Sequence, residues 1–264
     1  MITKLVYEAL ICEVELTPKP GLVDKINSGS HKDMDIHTFY KSAYAISPFI
    51  EKFLTCKSDF EQLRKVGFEC EKAMFIATDG VNTHKGMIFS LAVFCGAIGS
   101  VGYRDFSLLQ EEIRYICKDL IKKDLADIKE PKTHGERFYV QTKLGGIRAE
   151  AVAGYPSVFQ KALPFLSEKL KYYSKDIALK LTLLFLMSEI NDSTLFARGG
   201  ITGLKLVQEE AKKLLNADVN LLDENLKEFD SLMRKKNLSA GGSADLLALS
   251  WLVYTLQNEV KIEL

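Results

Sequence analysis

Apolar positions in this 264-residue chain recur mostly at helical spacing. Between Ile2 and Leu16, residues Leu5, Val6, Ala9 and Leu10 share one face, which predicts an amphipathic helix. Thr17-Pro18-Lys19-Pro20-Gly21 stops it, because proline removes a backbone donor and restricts the residue before it. Asp35 to Leu54 predicts a second helix, kinked at Pro48. Ser58-Asp59-Phe60-Glu61 reads as a capping box opening a helix to about Thr78, and Ser107-Leu108-Leu109-Gln110 as another opening a helix to about Asp127. Met87–Val101 is weakly polar, interrupted by Ser90, Ser100 and glycine. It is shorter than the ~18 apolar residues of a spanning helix and predicts a buried core helix. The run Leu181–Met187 reads the same way. Further helices are expected at 134–143, 147–154, 157–169, 175–190, 202–216, 221–236 and 243–261. No alternating run is bounded by hairpin signals. The expectation is an all-α, single-domain bundle over residues 1–264. No internal repeat or low-complexity segment interrupts it, and Lys129–Gly135 is the most loop-like interior stretch.

Composition narrows the classes of function. Hydrophobic residues make up 47% and charged residues 27%, and 35 Lys+Arg balance 35 Asp+Glu for a net charge of +0. That is an ordinary globular balance. It argues against bulk electrostatic binding of nucleic acid or an anionic membrane. Cys12, Cys56, Cys70, Cys95 and Cys117 form no C-x-x-C pair. With no leader recognised, they read as reduced core thiols of a cytoplasmic protein.

Glycine and charge gather in five junctions between helices. The first is Thr17–Asp24 continuing through Asn27–Asp35. The second is Asp79–Gly86, the third Gly145–Glu150, the fourth Asn191–Thr194 with Arg198-Gly199-Gly200, and the fifth Ser239–Asp245. Glycine lets backbone amides approach a ligand, helix N-termini carry partial positive charge, and arginine grips phosphate bidentately. Together the junctions suggest a polyphosphate pocket. None matches G-x-x-x-x-G-K-[ST], and no strand precedes a G-x-G-x-x-G.

Plainer readings compete at each position. Glycine pairs commonly end helices, and Asp or Ser beside them commonly cap the next one. Asp33 and Asp35 can simply cap the helix that follows. His84 alone is more often a hydrogen-bonded structural histidine than a catalyst. His31 and Asp35 stand four residues apart, a weak metal signal. H-E-x-x-H and zinc-spaced cysteines are both missing, so any metal is expected to resemble Mg²⁺, held by carboxylates, water and phosphates. A Ser/His/Asp triad stays open, without a G-x-S-x-G elbow to support it.

The same junctions carry a family resemblance. Thr17-Pro-Lys-Pro-Gly-Leu-Val-Asp24 with Gly29-Ser-His-Lys-Asp-Met-Asp35 resembles the N-terminal signature of the triphosphoribosyl-dephospho-coenzyme A synthases. Asn82-Thr-His-Lys-Gly86 with Ile88-Phe-Ser-Leu91 is similar to their second signature. Gly145-Gly-Ile-Arg148, Glu150-Ala151 and Tyr155-Pro-Ser-Val158 are similar to the third. Asp192 with Arg198-Gly-Gly200, and Gly241-Gly-Ser-Ala-Asp-Leu246, complete a match running from about residue 8 to residue 255. The family usually has Gly where Ala149 stands, and Asp-Thr-Asn where this chain reads Asp192-Ser193-Thr194.

The resemblance implies transfer of the 5-triphosphoribosyl group of ATP to the 2′-hydroxyl of 3′-dephospho-CoA, with adenine leaving. The product is the prosthetic-group precursor for the acyl carrier subunit of citrate lyase or malonate decarboxylase, passed on to a transferase that modifies that carrier. Breaking the C1′–N9 bond requires an oxocarbenium-like state. By residue type and motif position, Asp192, Glu150 and His84 are the catalytic candidates. Lys19, Lys85, Arg148, Arg198, Gly145, Gly146, Gly199, Gly200 and Asn82 are the nucleotide- and phosphate-binding ones. Asp33, Asp35 and Asp79 are the Mg²⁺ candidates, with His31, Ser243 and Asp245 as further pocket residues. On this basis Asp192→Asn abolishes adenine release with folding intact, and Lys85→Ala weakens ATP binding. A transferase with another acceptor, an N-glycosidic hydrolase and a non-catalytic helical scaffold are the alternatives. The enzyme reading requires the junctions to meet at one cleft. The scaffold reading requires poor convergence and a broad apolar patch.

Overall fold

The structure, a computed structural model, describes residues 1–125, 128 and 130–262. It is all-α, with no strand among the described residues. The order is α1 (Ile2–Glu15), α2 (Ile36–Cys56), α3 (Phe60–Ala77), α4 (Lys85–Val101), α5 (Phe106–Cys117), α6 (Leu120–Asp124), α7 (His134–Thr142) and α8 (Gly146–Val152). A π-helical turn, Ser157–Ala162, runs directly into α9 (Leu163–Lys169). Then come α10 (Lys175–Glu189), α11 (Ser193–Leu215), a 3₁₀ turn at Val219–Leu221, α12 (Leu222–Lys235) and α13 (Gly241–Ile262).

The apolar pattern places these helices well. Val6, Ala9 and Leu10 bury the predicted face of α1, and α4 is buried from Met87 to Ile98 apart from a partly covered Phe89. No helix of the described residues is long and apolar enough to cross a membrane. The caps are less well placed by sequence. Both predicted boxes give way to a neighbouring aspartate. Asp59, not Ser58, accepts from the Gln62 amide and opens α3, while the Ser58 hydroxyl turns to Glu112. Asp105 accepts from the Ser107 and Leu108 amides, which puts Ser107 inside α5. A charged acceptor makes the stronger bond to the free amides at a helix start. The helix expected from Ser107 breaks after Cys117 and resumes as α6. Its expected end at Asp127 lies outside the described residues, as does Lys129 of the loop-like stretch. The α2 helix runs through Pro48. The helix expected from residue 202 starts nine residues earlier, at Ser193, and is bent at Gly200 (φ 58°, ψ −161°), a backbone conformation open to glycine.

A continuous apolar core joins Val6 of α1, Phe94 of α4, Leu184 of α10 and Leu256 of α13. Helix α4 packs against α2, α3 and α5, and α13 against α1 and α10. Each buried side chain of that size contributes about 1.5–3 kcal/mol through burial. This packing brings the helix ends that carry the glycine-rich junctions to one region.

Candidate active site

The five junctions connect through specific contacts. His31 of the first holds the Ser239 hydroxyl of the fifth at 3.0 Å through Nε2. Arg198 of the fourth donates to the Ser30 carbonyl at 2.8 Å and faces His31 Nδ1 at 3.1 Å. Asp192 of the fourth accepts from the Ser243 amide of the fifth at 2.8 Å. A side chain built at Gly86 of the second would place its Cβ 2.8 Å from Asp245 Oδ2 of the fifth. Gly146 of the third (φ 52°) lies against Ser193, where a Cβ would meet the serine side chain at 3.8 Å. The meeting point is the N-terminal end of α13.

Two aspartates there have opposite environments. Asp192 is buried and fully engaged. Its Oδ1 accepts from the Thr194 and Leu195 amides at 2.8 and 3.2 Å, capping α11. Its Oδ2 accepts from the Ser243 amide and hydroxyl at 2.8 and 3.1 Å, pinning the start of α13. Gly242 permits this approach, since a Cβ there would come within 3.1 Å of Oδ2. Burial raises the Asp192 pKa and these four bonds oppose the rise. Asp245 accepts no hydrogen bond among the described residues, although it is only partly exposed. Burial first, then Glu13 and Asp192, push its carboxyl well above the usual carboxylate range.

Other groups near the junctions have unusual protonation or unmet bonding. Tyr155 is fully buried, and its phenol is raised further by burial, Glu150 and Asp245. Ser90 of α4 is near enough to act on that phenol, but the two do not reach hydrogen-bond geometry. Both hydroxyls lack partners among the described residues. Glu150 accepts from the Ser157 amide at 3.1 Å and its hydroxyl at 2.7 Å. His84 is held down to about 3, first by burial and then by Lys19. Its Nδ1 lies 2.6 Å from the Ser42 hydroxyl and its ring meets Phe39 edge-on. It is therefore neutral near pH 7 and structurally bonded.

The four expected phosphate cations are all engaged within the protein. Lys19 is buried and ion-paired to Glu13. Lys85 pairs with Glu71 at 2.9 Å. Arg148 approaches Asp124 at 3.7 Å, a carboxylate that Arg64 also grips at 2.6 and 2.7 Å. Arg198 clamps the first junction and Asn237. Gly199 accommodates the Leu238 side chain, and Gly145 packs against Ala149 and Ile121, while Gly200 faces open space. Asn82 is exposed and accepts from the Lys85 amide at 3.3 Å. The three metal candidates are not gathered. Asp35 is an exposed cap of α2 in a capping box with Thr38, Asp79 is exposed at the end of α3, and Asp33 sits 4.0 Å from His31. No group of three metal-ligating side chains exists among the described residues.

Sequence reasoning missed Glu13, Tyr155, Ser90 and the cations Lys32, Arg234 and Lys235. Glu13 was detectable, since it falls on the apolar stripe with Val6 and Leu10, as was Ser90 within the apolar α4. Lys32, Arg234 and Lys235 line a groove of about 490 Å³ with His31, Ser30 and Asn237. Lys32 lies within the Gly29–Asp35 signature and was open to this reading, whereas nothing in the local sequence of Arg234 and Lys235 distinguishes them from ordinary surface charge.

The fold is all-α, and comparison with known proteins makes the protein an enzyme, a transferase rather than a scaffold. The chain belongs to the ATP:dephospho-CoA triphosphoribosyl transferase family, whose model matches residues 1–263. A probable 2-(5″-triphosphoribosyl)-3′-dephosphocoenzyme-A synthase of Vibrio cholerae is 43% identical over 281 aligned positions, spanning 99% of this chain and 90% of its own. A probable synthase of the same name from Streptococcus mutans is 41% identical, spanning 94% of each chain. The 2-(5″-triphosphoribosyl)-3′-dephosphocoenzyme-A synthase of Pectobacterium atrosepticum is 40% identical, spanning 98% of this chain and 90% of its own. No solved structure matches the chain.

Proposed function

We propose that the protein, working as one domain, transfers the 5-triphosphoribosyl group of ATP to the ribose 2′-hydroxyl of 3′-dephospho-CoA and releases adenine. The observation that carries this reading is the linking of the five junctions near the start of α13, where Asp245 is a largely covered carboxyl without a hydrogen-bond partner among the described residues. The reaction breaks C1′–N9 and forms C1′–O2′. The electron pair of the broken bond leaves with adenine. Asp245, held protonated by its surroundings, supplies the proton that adenine needs to depart neutral. Glu150 accepts the proton of the 2′-hydroxyl, the second carboxylate of a pair suited to an oxocarbenium-like state. Asp192 is a positioning residue, because its four bonds fix the ends of α11 and α13.

Mg²⁺ enters as part of the Mg²⁺–ATP substrate, which needs only one or two carboxylates besides phosphate oxygens. Asp33, Asp35 and Asp79 lie apart and form no dedicated cage among the described residues. The product fits the precursor of the prosthetic group of citrate lyase or malonate decarboxylase, handed to the transferase that loads the acyl carrier subunit. The test is incubation with ATP, Mg²⁺ and dephospho-CoA. Adenine release that depends on the acceptor supports transfer. Release without acceptor supports a hydrolase instead, and absence of release overturns both.

A further inference from the structure

We propose that the groove between the first junction and the end of α12 is a polyphosphate subsite, gripped by Lys32, Arg234 and Lys235. The inference rests on the transfer reading for the identity of its nucleotide ligands, but its binding test does not. Four observations carry it.

First, the substrates of that reaction carry a triphosphate and a diphosphate, yet Lys19, Lys85 and Arg148 are committed to carboxylates and Arg198 to the first junction. Second, the groove holds about 490 Å³, enough for a phosphate chain, and no acidic residue lines it. Third, Lys32 and Lys235 are exposed and have no ion pair among the described residues, while Arg234 makes only a 3.6 Å contact to Asp230. The Ser30 hydroxyl on the same wall is shielded from solvent and has no partner among the described residues. Fourth, one lining residue ties the groove to the junctions, because His31 bonds Ser239 and faces Arg198.

Helix chemistry accounts for only part of this. Arg234 and Lys235 stand in the last turn of α12, where cations offset the helix dipole. Lys32 stands just before the start of α2, where the same dipole disfavours a cation. It comes from a different segment and converges on the same space. A bound phosphate chain gives all three charges, and the shielded serine hydroxyl, a common partner.

The experiment compares the full chain with Lys32→Ala, Lys235→Ala and the double variant. All are surface changes whose folding is checked by thermal melting. Inorganic tripolyphosphate binding is measured by calorimetry, and KM is measured for ATP and for dephospho-CoA separately. Each lost cation is expected to weaken tripolyphosphate binding about tenfold, as for a charge-assisted contact. A rise in KM for ATP with kcat retained assigns the groove to the triphosphate. A rise for dephospho-CoA alone assigns it to the acceptor's diphosphate. If the double variant binds tripolyphosphate as the parent does and neither KM moves, the proposal is overturned. If adenine is never released but tripolyphosphate binding still depends on these lysines, the transfer reading fails and the subsite stands.

Discussion

Asp192 offers a test in which chemistry and architecture predict different outcomes. In Asp192→Asn, the remaining oxygen can keep the Thr194 and Leu195 amides capped. The new amide group then faces Ser243. The serine hydroxyl can turn to accept from it, but the Ser243 amide loses its acceptor. An orphaned buried amide costs about 1–3 kcal/mol. Loss of the anionic cap at α11 adds about 0.3–1 kcal/mol. Neutralising a carboxylate whose charged form is disfavoured by burial offsets part of this. The net expectation is a loss of about 1–2 kcal/mol for Asn. For Ala, which gives up all four bonds, it is about 2–4 kcal/mol. Urea unfolding at pH 7 reads both values, and unchanged m-values confirm that the midpoint shift reports stability. Turnover falls along with stability, because the start of α13 is no longer fixed and Asp245 moves with it. An Asn variant that is as stable as the parent yet inactive would refute this. It would make Asp192 a participant in the chemistry, as its motif position alone suggests.

Other predictions follow from the same geometry. Asp245→Asn removes a carboxyl that ionises in the unfolded chain and accepts no hydrogen bond among the described residues, so it should raise the melting temperature by a few degrees near pH 7 while cutting adenine release by about 10²-fold or more. A lower melting temperature would contradict the assignment. The sign is set by the raised native pKa, since a group that holds its proton more tightly when folded costs stability as pH rises above its unfolded value of about 3.9, a cost that Asn does not carry. Gly86→Ala places a methyl group against Asp245 Oδ2, so activity should fall with stability retained, because a carboxyl end can swing aside and alanine favours helix. Equal kcat in this variant would separate Asp245 from the reaction. His31 is held down to about 4 and His84 to about 3, both mainly by burial. Their neutral forms stabilise the fold above about pH 6.5, and that support is lost as pH falls toward those values, by on the order of 1 kcal/mol per pH unit for each. Melting curves between pH 7 and 4 check this, and His84→Gln should flatten the dependence.

Helix positions and the glycine-rich junctions were legible because both are recorded locally, whereas the contacts between junctions are tertiary and were not. Apolar spacing marks each buried face, and glycine marks where backbones must approach, as at Gly86 and Gly242. Caps were misplaced by one or two residues because Ser58 and Ser107 stand beside better acceptors, and their own hydroxyls are free to bond elsewhere. The partners of the expected phosphate cations were not legible, for a tertiary reason. Lys19 lies in a glycine-rich run that suits a ligand, but α1 folds Glu13 back onto it, and Asp124 collects both Arg64 and Arg148 from distant helices. Long charged side chains choose partners across the fold, and spacing along the chain does not encode that choice.

The links among the junctions also set the order in which the enzyme comes into being. Ser30 reaches Arg198 across 168 residues of chain, and the Gly21 amide reaches Asp230 across 209. The groups that close the circle, Ser243 and Asp245, belong to α13. Such distant contacts form late in folding, after the intervening loops have closed. A partly folded chain can hold most of its helices and still lack the Asp245 carboxyl beside the other junctions. Activity should therefore recover on refolding only with the final, cooperative phase, lagging behind the return of helicity.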